Sequence, residues 1–138
     1  MKKIGIIGAG AWGSALAIAV AQARHEVLLR AHESDVVDFI NTNHVNPEYL
    51  PGVTFPDSVR STSSLSETVN RDIVLLVTPA QYVREIIMAT KSQFGRKTEL
   101  IICSKGIEQK SGQLLSEIIE DIIPEIPLAI LSGSRGFI

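Results

Sequence analysis

Lys3-Ile4-Gly5-Ile6-Ile7-Gly8-Ala9-Gly10-Ala11-Trp12-Gly13-Ser14-Ala15-Leu16-Ala17 decides the reading of this chain. Three isoleucines in five residues predict a buried strand over 3–7. The alanine-rich, proline-free stretch over 11–23 predicts a helix. Between them Gly8-Ala9-Gly10-Ala11-Trp12-Gly13 spells G-x-G-x-x-G. Alone the pattern is weak. Directly after a strand and at the opening of a helix, it predicts a turn that receives a dinucleotide's diphosphate. Gly8 permits the tight turn, Gly10 lets backbone approach the phosphates, and Gly13 lets the helix pack on the strand. The helix then points its first N–H groups and its positive dipole end at the anion.

Working outward, short β-like runs alternate with helical patterns. Residues 26–30 read as a second strand, and 33–43 as a helix with Val36, Val37 and Ile40 on one face. Asn46-Pro47-Glu48-Tyr49-Leu50-Pro51-Gly52 reads as a loop, because two prolines and a glycine interrupt it. A strand over 59–62 and a small helix opened by Ser64 follow. The unbroken apolar run 73–77 suits a central strand covered on both faces. Thr78-Pro79 reads as an N-cap and first-turn proline. The next helix carries Val83, Ile86, Ile87 and Thr90 on one face. Strand 99–103 precedes a helix started by Ser111, with Leu114, Leu115, Ile118, Ile119 and Ile122 recurring at helical spacing. Pro124 and Pro127 close it, residues 128–131 form a last strand, and Ser132-Gly133 begins a turn. The fold class is therefore α/β: a Rossmann-type, doubly wound, mainly parallel sheet with helices on both faces and strand order 3-2-1-4-5-6.

The bulk numbers agree with one such domain over 1–138. Apolar residues make up 45% of the 138 and charged residues 20%, the mix of a globular protein. A net charge of −2 without a Lys/Arg stripe argues against a nucleic-acid partner. The start of the chain imitates a secretory signal, but Gly5, Gly8, Gly10 and Gly13 interrupt its apolar stretch, and the same glycines argue against a membrane span. The single cysteine, Cys103, lies in an apolar run and reads as a small core side chain in a reducing, cytoplasmic setting. No metal-ligand spacing is present.

Two further places carry chemistry. The second strand ends in Arg30-Ala31-His32-Glu33. Arg30 and His32 suit a ribose 2′-phosphate better than a bare hydroxyl, which favours NADP(H) while leaving NAD(H) open. Glu33 also reads as an opening residue of the next helix. Ser104-Lys105-Gly106 falls at the carboxyl end of strand five, where ligands collect in such sheets, and Lys105 can bind a phosphate or carboxylate. Thr78-Pro79 would flank the nicotinamide side by shape.

Together these stretches resemble the bacterial NAD(P)-dependent glycerol-3-phosphate dehydrogenase family from residue 3 to about 133. The resemblance rests on Ile7 to Ala17, His25-Glu26-Val27, Asn46 to Gly52, Lys105-Gly106-Ile107-Glu108, Leu114 to Ile119 and Leu131-Ser132-Gly133. It implies that Ala11 and Trp12 touch the cofactor, that His32 and Tyr49 contact its adenosine end, that Lys105 meets cofactor and substrate, and that Gly133 lies by the glycerol phosphate. The implied reaction interconverts dihydroxyacetone phosphate and sn-glycerol 3-phosphate for phospholipid synthesis. The family continues after Ser-Gly with a proline, whereas Ser134-Arg135-Gly136-Phe137-Ile138 stands here. It also has a second, all-helical domain with a catalytic lysine, which has no counterpart in these residues. This chain alone is accordingly expected to be inactive, with a stand-alone nucleotide-binding module as the alternative. Apolar surface left without a partner domain leaves a homodimer open.

Overall fold

The computed structural model describes residues 1–131. Six strands form one sheet: β1 (Lys3–Ile7), β2 (Glu26–Arg30), β5 (Val59–Thr62), β6 (Ile73–Leu76), β7 (Glu99–Ile102) and β8 (Leu128–Ile130). Their order is β5-β2-β1-β6-β7-β8, every pairing parallel. Renumbered within the sheet this is 3-2-1-4-5-6, as expected from the sequence. The order reverses between β1 and β6, so the crevice of this fold lies at their carboxyl ends.

Alternation along each strand sorts the core into two layers. Ile4, Ile6, Val27, Leu29, Val59 and Leu75 pack against α1 (Ala11–Gln22) and α2 (Ser34–Asn43). Ile7, Val74, Leu76, Leu100 and Ile102 face the opposite way, onto α3 (Leu65–Val69), α4 (Val83–Thr90) and α5 (Leu115–Ile122). The helices fit because their apolar residues recur at three and four. Ile86, Ile87, Ile118 and Ile119 are all buried there. Gly5 shows how tightly this layer sits, since a Cβ there would stand 2.0 Å from the Thr68 carbonyl oxygen.

Three local expectations are corrected. The Asn46–Gly52 stretch is not only a loop. It forms a two-stranded antiparallel ribbon, β3 (Val45–Asn46) with β4 (Leu50–Thr54). Pro51 is tolerated because a two-stranded ribbon has outer edges where no N–H is needed. Thr78 is not an N-cap. Pro79 has an extended ψ of 147°, a 3₁₀ turn spans Ala80–Tyr82, and α4 starts only at Val83. Nor does Ser111 start α5. Its hydroxyl donates to Glu108 Oε1 at 2.6 Å, and the helix begins at Leu115 with Glu117 accepting from the Leu114 N–H at 2.8 Å. Leu114, lying before the helix, is 54% exposed rather than part of its apolar face.

Candidate functional site

The glycine turn leaves β1 and enters α1 at the topological switch point. Gly8 has φ +119°, a conformation that side chains rarely adopt. A Cβ on Gly13 would stand 1.8 Å from the Gly8 carbonyl oxygen, so helix and turn touch backbone to backbone. Gly10 differs from both. Its φ is −71° and ψ −170°, and a Cβ there would meet nothing within 4 Å. The fold therefore has no need of glycine at 10. The empty space beside it is what a ligand would use.

The end of α1 facing that space is bare of anions. Gly10 offers no side-chain cap, and the first turn contains no acidic residue. The earliest bond within the helix runs from the Ser14 N–H to the Gly10 carbonyl at 2.9 Å. A helix leaves its first N–H groups without intrahelical acceptors, and the helix dipole makes this end of α1 positive. At α3 and α5 the chain closes such ends itself. Ser64 caps α3 through the Glu67 N–H, and Glu117 serves α5.

Two clefts meet at this turn. One, of about 360 Å³, is lined by the turn and by Arg30, His32, Glu33 and Tyr49. The other, of about 710 Å³, reaches Ser104, Lys105 and Gly106. They share Trp12, Val77, Thr78 and Pro79, so one elongated ligand can lie across both. Sequence reasoning placed Gly8, Gly10, Ala11, Trp12, Gly13, Arg30, His32, Tyr49 and Lys105 in a site. The structure gathers all of them along this double cleft. Gly133 lies outside the described residues.

At the β2 end, His32 is exposed and Arg30 half-buried. Arg30 Nε donates to the Ser63 carbonyl at 3.0 Å, which fixes its guanidinium at the cleft wall. Burial lowers its pKa from the ordinary value, and the nearby Glu33 carboxylate acts in the opposite direction. Tyr49 reaches in from the ribbon, its hydroxyl donating to Glu33 Oε2 at 3.0 Å. That hydrogen bond is the main reason the phenol titrates above its usual value.

At the other end, the loop bearing Lys105 is pinned on both sides. Ser104 Oγ donates to the Leu76 carbonyl at 3.1 Å and also bonds the Thr78 carbonyl. Glu108, 8% exposed, takes Arg84 Nε at 2.8 Å and Arg84 Nη2 at 2.9 Å. Hydrogen bonds from Arg84 and Ser111 hold its carboxyl pKa down to about 2. Sequence reasoning did not single out Arg84, which stands 24 positions from its partner. Cys103 lines the larger cleft but is only 4% exposed, and burial pushes its thiol up to about 11. It is protonated at neutral pH and inert as a nucleophile.

The parallel sheet, the switch-point crevice and the glycine turn define a Rossmann-type domain. The sequence profile described as NAD-dependent glycerol-3-phosphate dehydrogenase N-terminus matches residues 3–135, and the chain belongs to that family. The glycerol-3-phosphate dehydrogenase [NAD(P)+] of Paramagnetospirillum magneticum is 43% identical over 133 residues, covering 96% of this chain and 48% of the relative. That of Parvibaculum lavamentivorans is 39% identical over 132 residues, covering 96% and 40%. Among solved structures, glycerol-3-phosphate dehydrogenase from Coxiella burnetii matches with a TM-score of 0.87 and 33% identity, over 96% of this chain and 41% of that one. The chain thus spans at most about half the length of these relatives.

Proposed function

We propose that residues 1–138 form the cofactor-binding domain of an oxidoreductase that interconverts dihydroxyacetone phosphate and sn-glycerol 3-phosphate with NAD(P)H. The observation that carries this reading is the uncapped start of α1 beside Gly10, whose Cβ position is open, in a double cleft ending at Lys105. The Ala11–Gly13 turn would hold the diphosphate. Trp12, Val77 and Pro79 would shape the path of the ligand past the switch point. Arg30, His32 and Tyr49 would surround the adenosine ribose, and the two basic residues favour a 2′-phosphate, hence NADP(H). Lys105 would meet the nicotinamide side and the substrate as a positive charge, and Gly133 would approach the substrate phosphate.

When bound, NAD(P)H supplies the hydride. The chain's own part is placement: the turn would orient the diphosphate, and Trp12, Val77 and Pro79 would guide the ligand into the larger cleft. Reduction of a ketone also needs a proton donor at the carbonyl oxygen. We assign that donor, and the helical substrate domain, to the part of the relatives this chain does not match. The lone buried thiol suits work in the cytoplasm. Among the described residues, no helix is long and apolar enough to cross a membrane.

Titration with NADPH tests the reading. Saturable binding, with no turnover of dihydroxyacetone phosphate by the 138-residue chain, is expected. Absence of binding would overturn it. Turnover by this chain alone would overturn the assignment of the proton donor elsewhere.

A further inference from the structure

Asn46 is fully buried, at 0% exposure, yet it lies on the ribbon rather than in the sheet or its helices. Its Nδ2 donates to the Ala9 carbonyl at 2.9 Å and to Ser14 Oγ at 3.0 Å. Ser14, also at 0%, donates its own hydroxyl proton to the same Ala9 carbonyl at 3.3 Å. With that proton committed, Ser14 Oγ must accept from Asn46, which settles the orientation of the amide. Asn46 Oδ1 then accepts from the Tyr49 N–H at 3.4 Å. One buried side chain therefore ties three things together: the turn at Ala9, the first turn of α1 at Ser14, and the loop that carries Tyr49.

We infer that Asn46 is a positioning residue, which sets the glycine turn and Tyr49 as one unit for the bound dinucleotide without touching it. The inference rests on the cofactor reading above for its ligand, but not for its geometry. Ala9 precedes Gly10, so fixing its carbonyl fixes the Ala9–Gly10 peptide plane. That plane decides where the space beside Gly10 opens. The same amide holds the base of the loop from which Tyr49 crosses to Glu33. A buried polar group with both ends matched specifies a single arrangement, and half of the arrangement does not persist without the other.

The protein has one tryptophan, Trp12, inside the turn. Its emission and its acrylamide quenching report turn geometry with no ligand present. Asn46→Ala and Ser14→Ala are compared with the unaltered chain by three measurements: thermal unfolding, Trp12 quenching without ligand, and NADPH titration at a temperature where all are folded. The expected result is altered quenching in both variants. An NADPH Kd raised about tenfold is also expected, the loss typical when a residue that orients a binding group is removed. A purely structural role would lower the unfolding temperature and leave quenching and Kd unchanged. That result in folded protein overturns the inference. Should Asn46→Ala fail to fold, Ser14→Ala decides alone, since it removes the acceptor from Asn46 at a helical position where alanine is favoured. If the unaltered chain binds no NADPH, the cofactor reading falls, and the ligand-free quenching still decides whether Asn46 sets the turn.

Discussion

Replacing Gly10 separates a glycine kept for a ligand from one kept for the fold. At Gly10→Val the backbone needs no change, because φ −71° and ψ −170° are open to every residue. The new Cβ meets nothing within 4 Å. Stiffening the unfolded chain favours the variant by about 0.4–1 kcal/mol, while a poorer N-cap costs about as much. Folding stability should therefore stay within about 1 kcal/mol of the parent. Cofactor affinity should not. The valine methyl groups would occupy the space beside the α1 N-terminus and separate phosphate from amides. Losing two charge-assisted hydrogen bonds at about 1.5 kcal/mol each costs about 3 kcal/mol, or about 100-fold in Kd. Gly13→Ala makes the contrast. Its Cβ would stand 1.8 Å from the Gly8 carbonyl oxygen, so backbone must move, and about 2 kcal/mol or more of stability should go. Circular dichroism melts give the stabilities, and NADPH fluorescence gives the Kd. A folded Gly10→Val that binds NADPH as tightly as the parent refutes the argument.

Other expectations follow from the rest of the site. Arg30→Ala and His32→Ala should each weaken NADPH more than NADH, measured by parallel titrations; equal losses would remove the 2′-phosphate assignment. Glu108→Gln should lower the melting temperature at pH 7 by loosening the Arg84 clamp. The folded pKa of Glu108, about 2, lies below its ordinary value of 4.5. Its contribution is thus present above about pH 4.5 and lost as pH falls toward 2. The gap between parent and variant should close over that window, and a gap independent of pH would show that the carboxylate charge is irrelevant. Cys103 should resist alkylation at pH 7.5 in the folded chain and react once urea unfolds it. Rapid native labelling would mean that the β7 end opens.

The sheet was legible because its signals are local and repeated. A glycine turn after β1, an unbroken apolar run at β6 and helices with threefold and fourfold spacing leave little choice of topology. The misreadings share one cause: polar residues whose partners are distant in sequence. Ser111 resembles a helix start, but its hydroxyl is taken by Glu108. Thr78 resembles a cap, but its backbone carbonyl receives Ser104 and the chain stays extended through Pro79. Proline and glycine in the Asn46–Gly52 stretch hid a ribbon whose pairing depends on Val45 meeting Thr54. In the site, the glycines, Arg30, His32 and Lys105 were readable from motif and strand ends, and Tyr49 only from the family resemblance. Asn46 was not. As a lone asparagine before a proline it reads as loop chemistry, and only the fold brings Ala9, 37 positions away, to its amide.

The central claim is that the backbone amides opening α1 receive a dinucleotide's diphosphate. Amide NMR shifts, followed residue by residue as NADPH is added, test it most directly. The account predicts that the largest saturable shifts fall on Gly10, Ala11, Trp12 and Gly13, with smaller ones at His32 and Lys105. Saturation with those four amides unmoved, or shifts confined to the far end of the sheet around Lys3 and Arg71, would contradict it.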